Sequence, residues 1–338
     1  MRFLIVGLGS MGKRRIRCLQ SLGEYAIVGF DIREDRRRET EDKYGIPTFS
    51  SIEGAFQQHS IDAMIIAVPP DVHHVYMQVA VDRMIDFFVE ASVVDTGLQA
   101  LCRQLESTSI IAAPSATLCF HPAIHIIKTA VQSGQIGKIS NVLLHSGQYL
   151  PDWHVYEKVS DFYVSQKETG GAREIVPFEM TWFTKVFGFP SSVCAHVRKT
   201  IQIDGAEQID DTYNVLLDYC EYLAVVTVDV VSRSAIRKVL INGGLGQILW
   251  DWNLSYVQVY LSEQQQWFQI PYAGGQAEAG YNANIGEQMY VDELKAFIAA
   301  VQTRERFMNT LEEDLAVLDL LRQIELSQER KMFMEISR

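Results

Sequence analysis

Residues 3–12, Phe3-Leu4-Ile5-Val6-Gly7-Leu8-Gly9-Ser10-Met11-Gly12, decide how the rest of the chain is read. The apolar run with β-branched members predicts a strand buried on both faces of a parallel sheet. It leads into Gly7, Gly9 and Gly12, spaced G-x-G-x-x-G, and then into a predicted helix over 10–22 that stops at Gly23. In such a unit one glycine makes the tight turn, one lets a pyrophosphate approach the backbone, and one lets helix and strand pack closely. The first amides of the helix, Ser10 and Met11 among them, face the phosphates, and the helix dipole favours their charge. Met11, Cys18, Leu19 and Leu22 are expected to face the sheet, with Lys13, Arg14 and Arg17 toward solvent. A second apolar run over 26–30 ends at Asp31, about 20 residues on, where a carboxylate bonds both ribose hydroxyls and repels a 2′-phosphate. The stretch predicts a dinucleotide site for NAD, with NADP the less favoured coenzyme. Arg33 either softens that preference or pairs with its neighbours Glu34 and Asp35. A tight turn with no ligand is the competing reading, and the complete order of strand, glycines, helix, strand and acid argues against it.

Further along, a helix over 51–59 and a strand over 63–68 lead into Pro69-Pro70-Asp71-Val72-His73-His74. Carboxyl ends of strands line the ligand crevice in open parallel sheets, so Val68, Pro69 and His73 are expected near the coenzyme. A strand over 86–89 delivers Glu90-Ala91-Ser92 to the same edge, and a helix over 98–105 and a strand over 109–113 follow. This alternation is a doubly wound α/β domain over 1–118. After a helix over 124–133 the pattern changes to runs over 139–149, 193–203, 211–219, 223–231, 239–242, 246–250, 255–261 and 267–270. Asn242-Gly243 marks a tight hairpin. Residues 119–338 are thus expected to form an α+β domain whose largely antiparallel open sheet leaves one face free. Near the end, Tyr290, Leu294, Phe297, Ile298 and Val301 share one helical stripe, and Thr310 with Glu313 forms a capping box.

The 338 residues carry a formal net charge of −12, which excludes a nucleic-acid partner bound through clustered cations. Arg36-Arg37-Arg38 sits among acidic residues and reads as a solvated, salt-bridged helix start. Five cysteines without a C-x-x-C pair fit reduced thiols and a cytoplasmic location. The N-terminal apolar run is too short for a signal peptide, and no run reaches membrane-spanning length. No metal is expected: His73 and His74 are adjacent and do not share a helix face, and His121 with His125 lacks a third ligand.

The chain resembles the glucose–fructose oxidoreductase/inositol dehydrogenase (Gfo/Idh/MocA) family. The landmarks are Gly7 to Arg14, Ala67-Val68-Pro69, Val89-Glu90-Ala91-Ser92, Phe120-His121-Pro122-Ala123-Ile124, Ser133-Gly134-Gln135-Ile136-Gly137-Lys138 and Tyr290-Val291-Asp292-Glu293-Leu294. Gly147-Gln148-Tyr149-Leu150-Pro151-Asp152-Trp153-His154 is similar to the branch associated with bacterial surface sugars, including nonulosonic acids. The resemblance implies NAD-dependent hydride transfer on a sugar or sugar nucleotide, and a homodimer or homotetramer built through the C-terminal sheet.

Two family signatures carry acid/base chemistry, and this chain departs from both. In E-K-P, Glu90 stands at the first position, Ala91 for the lysine and Ser92 for the proline. In H-E-x-D after Gly170-Gly171, Phe178 replaces the histidine and Thr181 the aspartate, with Glu179 retained. Neither alanine nor phenylalanine exchanges protons. Candidate replacements are Tyr149, Asp152 and His154, with Lys167, Glu174 and Glu179 flanking the glycine turn. His154 is the leading titratable candidate because an unperturbed imidazole titrates near neutral pH; Tyr149 and Trp153 otherwise pack a long loop. The expected catalytic set is His154, Tyr149, Glu90 and Glu179. Two other readings stay open: a non-catalytic NAD-binding regulator or scaffold, and an enzyme that keeps NAD bound for epimerisation or elimination.

Overall fold

The computed structural model describes residues 1–153, 157–273 and 286–336. The chain forms two compact units, Met1–Thr117 with Tyr290–Ala316 and Leu118–Met289 with Val317–Arg338. A boundary at 118/119 therefore puts one segment in the wrong place. Residues 290–316 return to the first unit, held there by long-range polar links that no local pattern reveals.

In the first unit the order is β1 (Phe3–Val6), α1 (Ser10–Ser21), β2 (Ile27–Phe30), α2 (Glu34–Tyr44), β3 (Thr48–Phe49), α3 (Ile52–Gln58), β4 (Ala63–Ile66), α4 (His73–Asp82), β5 (Asp86–Val89), α5 (Leu98–Leu105) and β6 (Ala112–Pro114). The six strands lie in the order β3-β2-β1-β4-β5-β6, all parallel. Every residue of β1, β2, β4 and β5 is buried, as two-sided burial requires. The chain runs outward from β1 through β2 to β3, then returns to β4 on the other side of β1. That reversal is the topological switch point, beside which ligands bind at the carboxyl ends of the strands. The strand expected over 109–113 is shifted to Ala112–Pro114, because the Ile111 amide is taken by the Asp86 side chain at 2.8 Å. On α1, Arg14 and Arg15 are 3 % and 0 % exposed, so the placement of Arg14 in solvent is corrected.

The remaining elements are α6 (Pro122–Gln132), β7 (Ile139–Gly147), α7 (Ala172–Phe187), β8 (Ser192–Arg198), β9 (Thr212–Asp218), β10 (Leu223–Asp229), β11 (Ile236–Gly243), β12 (Gly246–Asp251), β13 (Tyr256–Leu261), β14 (Gln266–Pro271), α8 (Gln288–Thr303), α9 (Leu311–Arg330) and β15 (Met334–Glu335). The second sheet runs β14-β13-β12-β11-β7-β10-β9-β8-β15, antiparallel except for the β7–β10 pair. Helix α7 packs on β9 and β10, and α6 on α7 and β13. Alternation along the strands buries Val142, Leu144, Val215, Leu217, Val226, Val239 and Ile248 on that side. On the other face Leu216, Val225, Leu143, Leu240 and Leu249 stand opposite one another across five strands. The capping box opens α9 as read: the Thr310 amide donates to Glu313 at 2.9 Å. The two-residue strands β3 and β15 were too short to leave a periodic signal.

Candidate active site

The turn between β1 and α1 is shaped by sterics. Gly7 has φ +93°, and a Cβ there would lie 2.6 Å from the Ala67 carbonyl oxygen. At Gly12 a Cβ would come within 1.9 Å of the Gly7 oxygen, so any side chain would push helix and strand apart. Gly9 caps α1 without a side-chain oxygen, and no acidic residue lies in the first turn. The opening amides at Ser10 and Met11 therefore lie at an uncapped, electropositive helix end, which fits a diphosphate.

Asp31 follows β2 and is 6 % exposed. Its carboxylate accepts from the Leu8 and Arg33 amides, each at 2.8 Å, which aims it back at the glycine turn. The Arg33 guanidinium donates to both Asp35 oxygens at 3.1 and 2.6 Å. That hydrogen bond holds the Asp35 carboxyl down at about 2. Of the basic run, only Arg38 behaves as a solvated helix charge, paired with Glu34. Arg37 donates to the Asp31 and Ile32 carbonyls, and Arg36 Nη1 comes within 3.8 Å of Asp31 Oδ2.

Val68 and Pro69 follow β4, and His73 opens α4. His73 Nε2 donates to the Val68 carbonyl at 2.9 Å, which leaves Nδ1 as a bare acceptor, buried without a partner among the described residues. Burial pushes this imidazole down to about 4, so it is neutral at physiological pH. No trio of His, Cys, Asp or Glu that could hold a metal occurs among the described residues.

Glu90 is not a free base. Arg15 grips it through Nε at 2.6 Å and Nη2 at 3.0 Å, and Arg15 Nη1 lies 2.9 Å from Glu293 Oε2. Glu293 is itself fully buried and accepts from Ser115 Oγ, the Ala116 amide and Thr117 Oγ1 at 3.1, 2.6 and 2.7 Å. Burial works against the Arg15 charge, but the two carboxylates outweigh it and bind its proton more tightly. Burial likewise lifts the Glu293 carboxyl, with Arg15 opposing. Each Glu90 oxygen thus accepts one bond from Arg15. Glu293 lay within a recognised landmark but carried no local signal of its partners.

In the second unit, Tyr149 precedes a short turn at Leu150–Asp152, and Arg233 stacks on its ring at 3.6 Å from the centroid. His154 lies outside the described residues. Glu179 is 0 % exposed; Ser146 and Arg237 donate to its Oε1 at 2.7 and 2.8 Å, and Trp182 Nε1 to Oε2 at 2.7 Å. Glu179 is thus fully buried, with Ser146 and Arg237 on one oxygen and Trp182 on the other. Thr181 turns its hydroxyl back to the Pro177 carbonyl at 2.8 Å. Phe178 is only half-buried. One turn earlier, Glu174 accepts from Tyr163 Oη, and its other oxygen is buried without a partner among the described residues. Burial pushes the Glu174 carboxyl up to about 7, the Tyr163 hydroxyl opposing. His121 caps α6, accepting from the Ala123 amide at 3.2 Å, and its ring packs on Trp250 and Tyr272.

Two family models match the sequence: an oxidoreductase family with an NAD-binding Rossmann fold over residues 1–101, and the GFO/IDH/MocA C-terminal domain over residues 124–249. No curated protein matches the chain. Among solved structures, levoglucosan dehydrogenase in complex with NADH and levoglucosan superimposes with a TM-score of 0.87 at 14 % identity, over 100 % of both chains. An oxidoreductase from Agrobacterium radiobacter in complex with NAD+, L-tartaric acid and magnesium gives 0.84 at 14 % identity, over 99 % of this chain and 98 % of that one. A myo-inositol dehydrogenase assigned in Sinorhizobium meliloti 1021 gives 0.78 at 18 % identity, over 100 % of both. At such identities the likeness speaks for the fold alone. Taken with the glycine cradle and the carboxylate behind it, the two family matches place this chain in the GFO/IDH/MocA oxidoreductase family, with an NAD-binding Rossmann domain at its N-terminal end.

Proposed function

We propose that the chain is an NAD-dependent oxidoreductase acting at a carbinol or ketone carbon of a sugar or sugar nucleotide, with the usual lysine and histidine replaced. The observation that carries this reading is the cradle itself: Gly7 and Gly12 sit where no side chain fits, and Asp31 is oriented by two backbone amides. In this reading Gly7, Gly9, Ser10, Met11 and Gly12 hold the diphosphate and Asp31 the adenosine ribose, with Arg36 beside it. Val68, Pro69 and His73 border the coenzyme, and Glu90, fixed by Arg15, shapes the edge where Ala91 leaves the lysine's place empty of charge. The coenzyme, when bound, supplies the two-electron acceptor or donor. Levoglucosan and L-sorbose, bound by levoglucosan dehydrogenase, and inositols are the polyol class to test first. The landmark around Tyr149 adds sugar nucleotides of bacterial surface glycans. A cytoplasmic location fits the thiol content, and among the described residues no helix is long and apolar enough to cross a membrane.

The test is NADH binding by fluorescence, followed by turnover on a panel of polyols and sugar nucleotides. Absence of coenzyme binding by folded protein would sink the proposal. Ala91 and Phe178 favour a second reading, a non-catalytic NAD-binding regulator or scaffold, which predicts tight coenzyme binding with no turnover. Coenzyme surviving purification without net NADH release points instead to epimerisation or elimination. Replacing Asp31 with serine is expected to weaken NADH binding by about tenfold or more, the worth of a charge-assisted hydrogen bond, and to weaken NADPH binding less. Titrating both coenzymes gives the ratio.

The row Leu216, Val225, Leu143, Leu240 and Leu249 gives the open sheet face the apolar, self-complementary character of a homodimer or homotetramer contact. Leu143 and Leu216 are 43 % and 49 % exposed in the single chain. Leu216→Asp is expected to shift the molar mass measured by light scattering to that of the monomer while coenzyme binding persists. A wild-type monomer at micromolar concentration contradicts the assignment.

A further inference from the structure

The second sheet has two edges, and the chain treats them differently. An open strand edge is a row of unmet donors and acceptors, a template for pairing with another chain. On the β8 side that row is closed. β15 covers Ser192 and Val193, and α9 serves the next outward amides: Ala195 donates to Ser327 Oγ at 3.1 Å and Val197 to Gln328 Oε1 at 3.2 Å. At the far end β14, six residues long, pairs with β13, and no described residue lies beyond it in the sheet. The Tyr272 amide donates inward to the Ser255 carbonyl at 2.9 Å. Counting back along the antiparallel ladder, Trp267 and Gln269 direct their amides and carbonyls outward, and Pro271 at the next outward position has no donor to leave unmet. Both side-chain faces of the strand are open as well. Trp267, its ring against Tyr260 on the open face of the sheet, is 40 % exposed, and Phe268, opposite the buried Val259, is 39 % exposed. Residues 264–271 carry no charge, so the lysines and inward-pointing charges that guard natural edges are missing here.

We propose that β14 pairs edge to edge with β14 of a second copy of this chain, antiparallel about a twofold axis through Phe268. In that register Trp267 of each chain stands opposite Gln269 of the other, and each such pair exchanges N–H···O bonds in both directions. Phe268 meets its own copy as the non-hydrogen-bonded pair between them, an aromatic cross-strand contact. The register stays within the strand, clear of the missing donor at Pro271 and of the turn residue Gln265, whose φ is +51°. A second copy is the fitting occupant for three reasons. An uncharged strand meets no repulsion from itself. Antiparallel pairing keeps Glu263, the acid that precedes the run, at opposite ends of the joint. Head-to-tail pairing would need a second open edge of similar length, whereas β3 and β15 are two residues long and β6 is three. Self-pairing therefore closes at two chains and does not run on as a fibre. The joint is separate from the leucine row on the sheet face. A single strand edge buries less than the roughly 1,200–2,000 Å² of a stable interface, so alone it holds only in concentrated protein.

Phe268→Cys reads the register directly. At a non-hydrogen-bonded pair the two Cα atoms lie about 4.5 Å apart, within the reach of a disulfide. Mild oxidation of Phe268→Cys is expected to give a covalent dimer as the main product. Gln266→Cys is the control: in this register its two copies are separated by roughly 13 Å along the strands and cannot bridge. Wild type, carrying the chain's own cysteines, is oxidised alongside. A Phe268→Cys chain that cross-links no more than Gln266→Cys or wild type overturns the inference. The second readout is molar mass by light scattering on Leu216→Asp, in which the face contact is removed. Raised from micromolar to near-millimolar concentration, this chain is expected to climb from the mass of one chain towards that of two. Adding Gln269→Pro should hold it at one. That substitution removes an outward donor alone and leaves the ladder to β13 intact, which an unchanged melting temperature checks. A mass that stays at one chain throughout, or that climbs equally with Gln269→Pro, overturns the inference. Neither measurement involves coenzyme or turnover, so its failure leaves the proposed function standing.

Discussion

Arg15→Met is expected to destabilise the first unit by about 3–5 kcal/mol, the cost of stripping a buried ion pair of one partner. Methionine matches much of the side chain's bulk, so the loss reports charge more than packing. Glu293 would keep its bonds to Ser115, Ala116 and Thr117 but lose the cation 2.9 Å away, at a site with no exposure. Glu90 loses both of its guanidinium contacts. The sign of the pH dependence follows. Burial already lifts the Glu293 carboxyl, and removing Arg15, which opposes that lift, raises it further. A raised carboxyl contributes stability that is present at low pH and lost as pH rises through its folded pKa. The defect in Arg15→Met should thus be smallest in acid and largest at pH 8. Adding Glu293→Gln should recover part of it, since a neutral amide costs less to bury than an unpaired carboxylate. Urea denaturation at three pH values measures all of this. A loss below about 1 kcal/mol at pH 8 would show that the cluster does not hold this unit together.

The second large effect is expected in the other unit. Arg237→Met leaves Glu179 fully buried without its cation, and Glu179→Met leaves Arg237, 7 % exposed, without its anion. Each single variant should cost about 3–5 kcal/mol, whereas the double variant should cost much less than the sum, because no unpaired charge remains. The same cycle examines the role of Glu179. An anchor predicts that the double variant, once folded, still binds NADH and retains measurable turnover on whatever substrate wild type accepts. Complete loss of turnover in a folded double variant would assign Glu179 to the catalytic set.

Both effects concern residues whose partners were invisible in the linear chain. Arg14 and Arg15 follow the glycine turn as ordinary helix cations, and placing Arg14 in solvent was reasonable from charge alone. Arg14 instead lies over the Tyr290 ring at 4.3 Å, and Arg15 meets carboxylates 75 and 278 positions away. Glu179 looked like a retained catalytic position because motif spacing records order and not surroundings. Its partners Ser146 and Arg237 lie on strands β7 and β11, distant in sequence from α7.

What the chain's order settled by itself was everything governed by local sterics and periodicity. The two-sided apolar runs specify the parallel sheet, the G-x-G-x-x-G spacing specifies the turn, Asp31 follows β2, and Thr310 with Glu313 caps α9, whereas Asn242 and Gly243 end β11 and the hairpin turns one residue later, at Gly244-Leu245. These features depend on neighbours a few residues apart, so their physics is written within a single turn or strand. Tertiary structure alone decided which charged groups are paired, which are desolvated and which keep an unused oxygen. Those properties depend on dielectric surroundings and on partners hundreds of residues away, and only the folded chain brings them within hydrogen-bond reach.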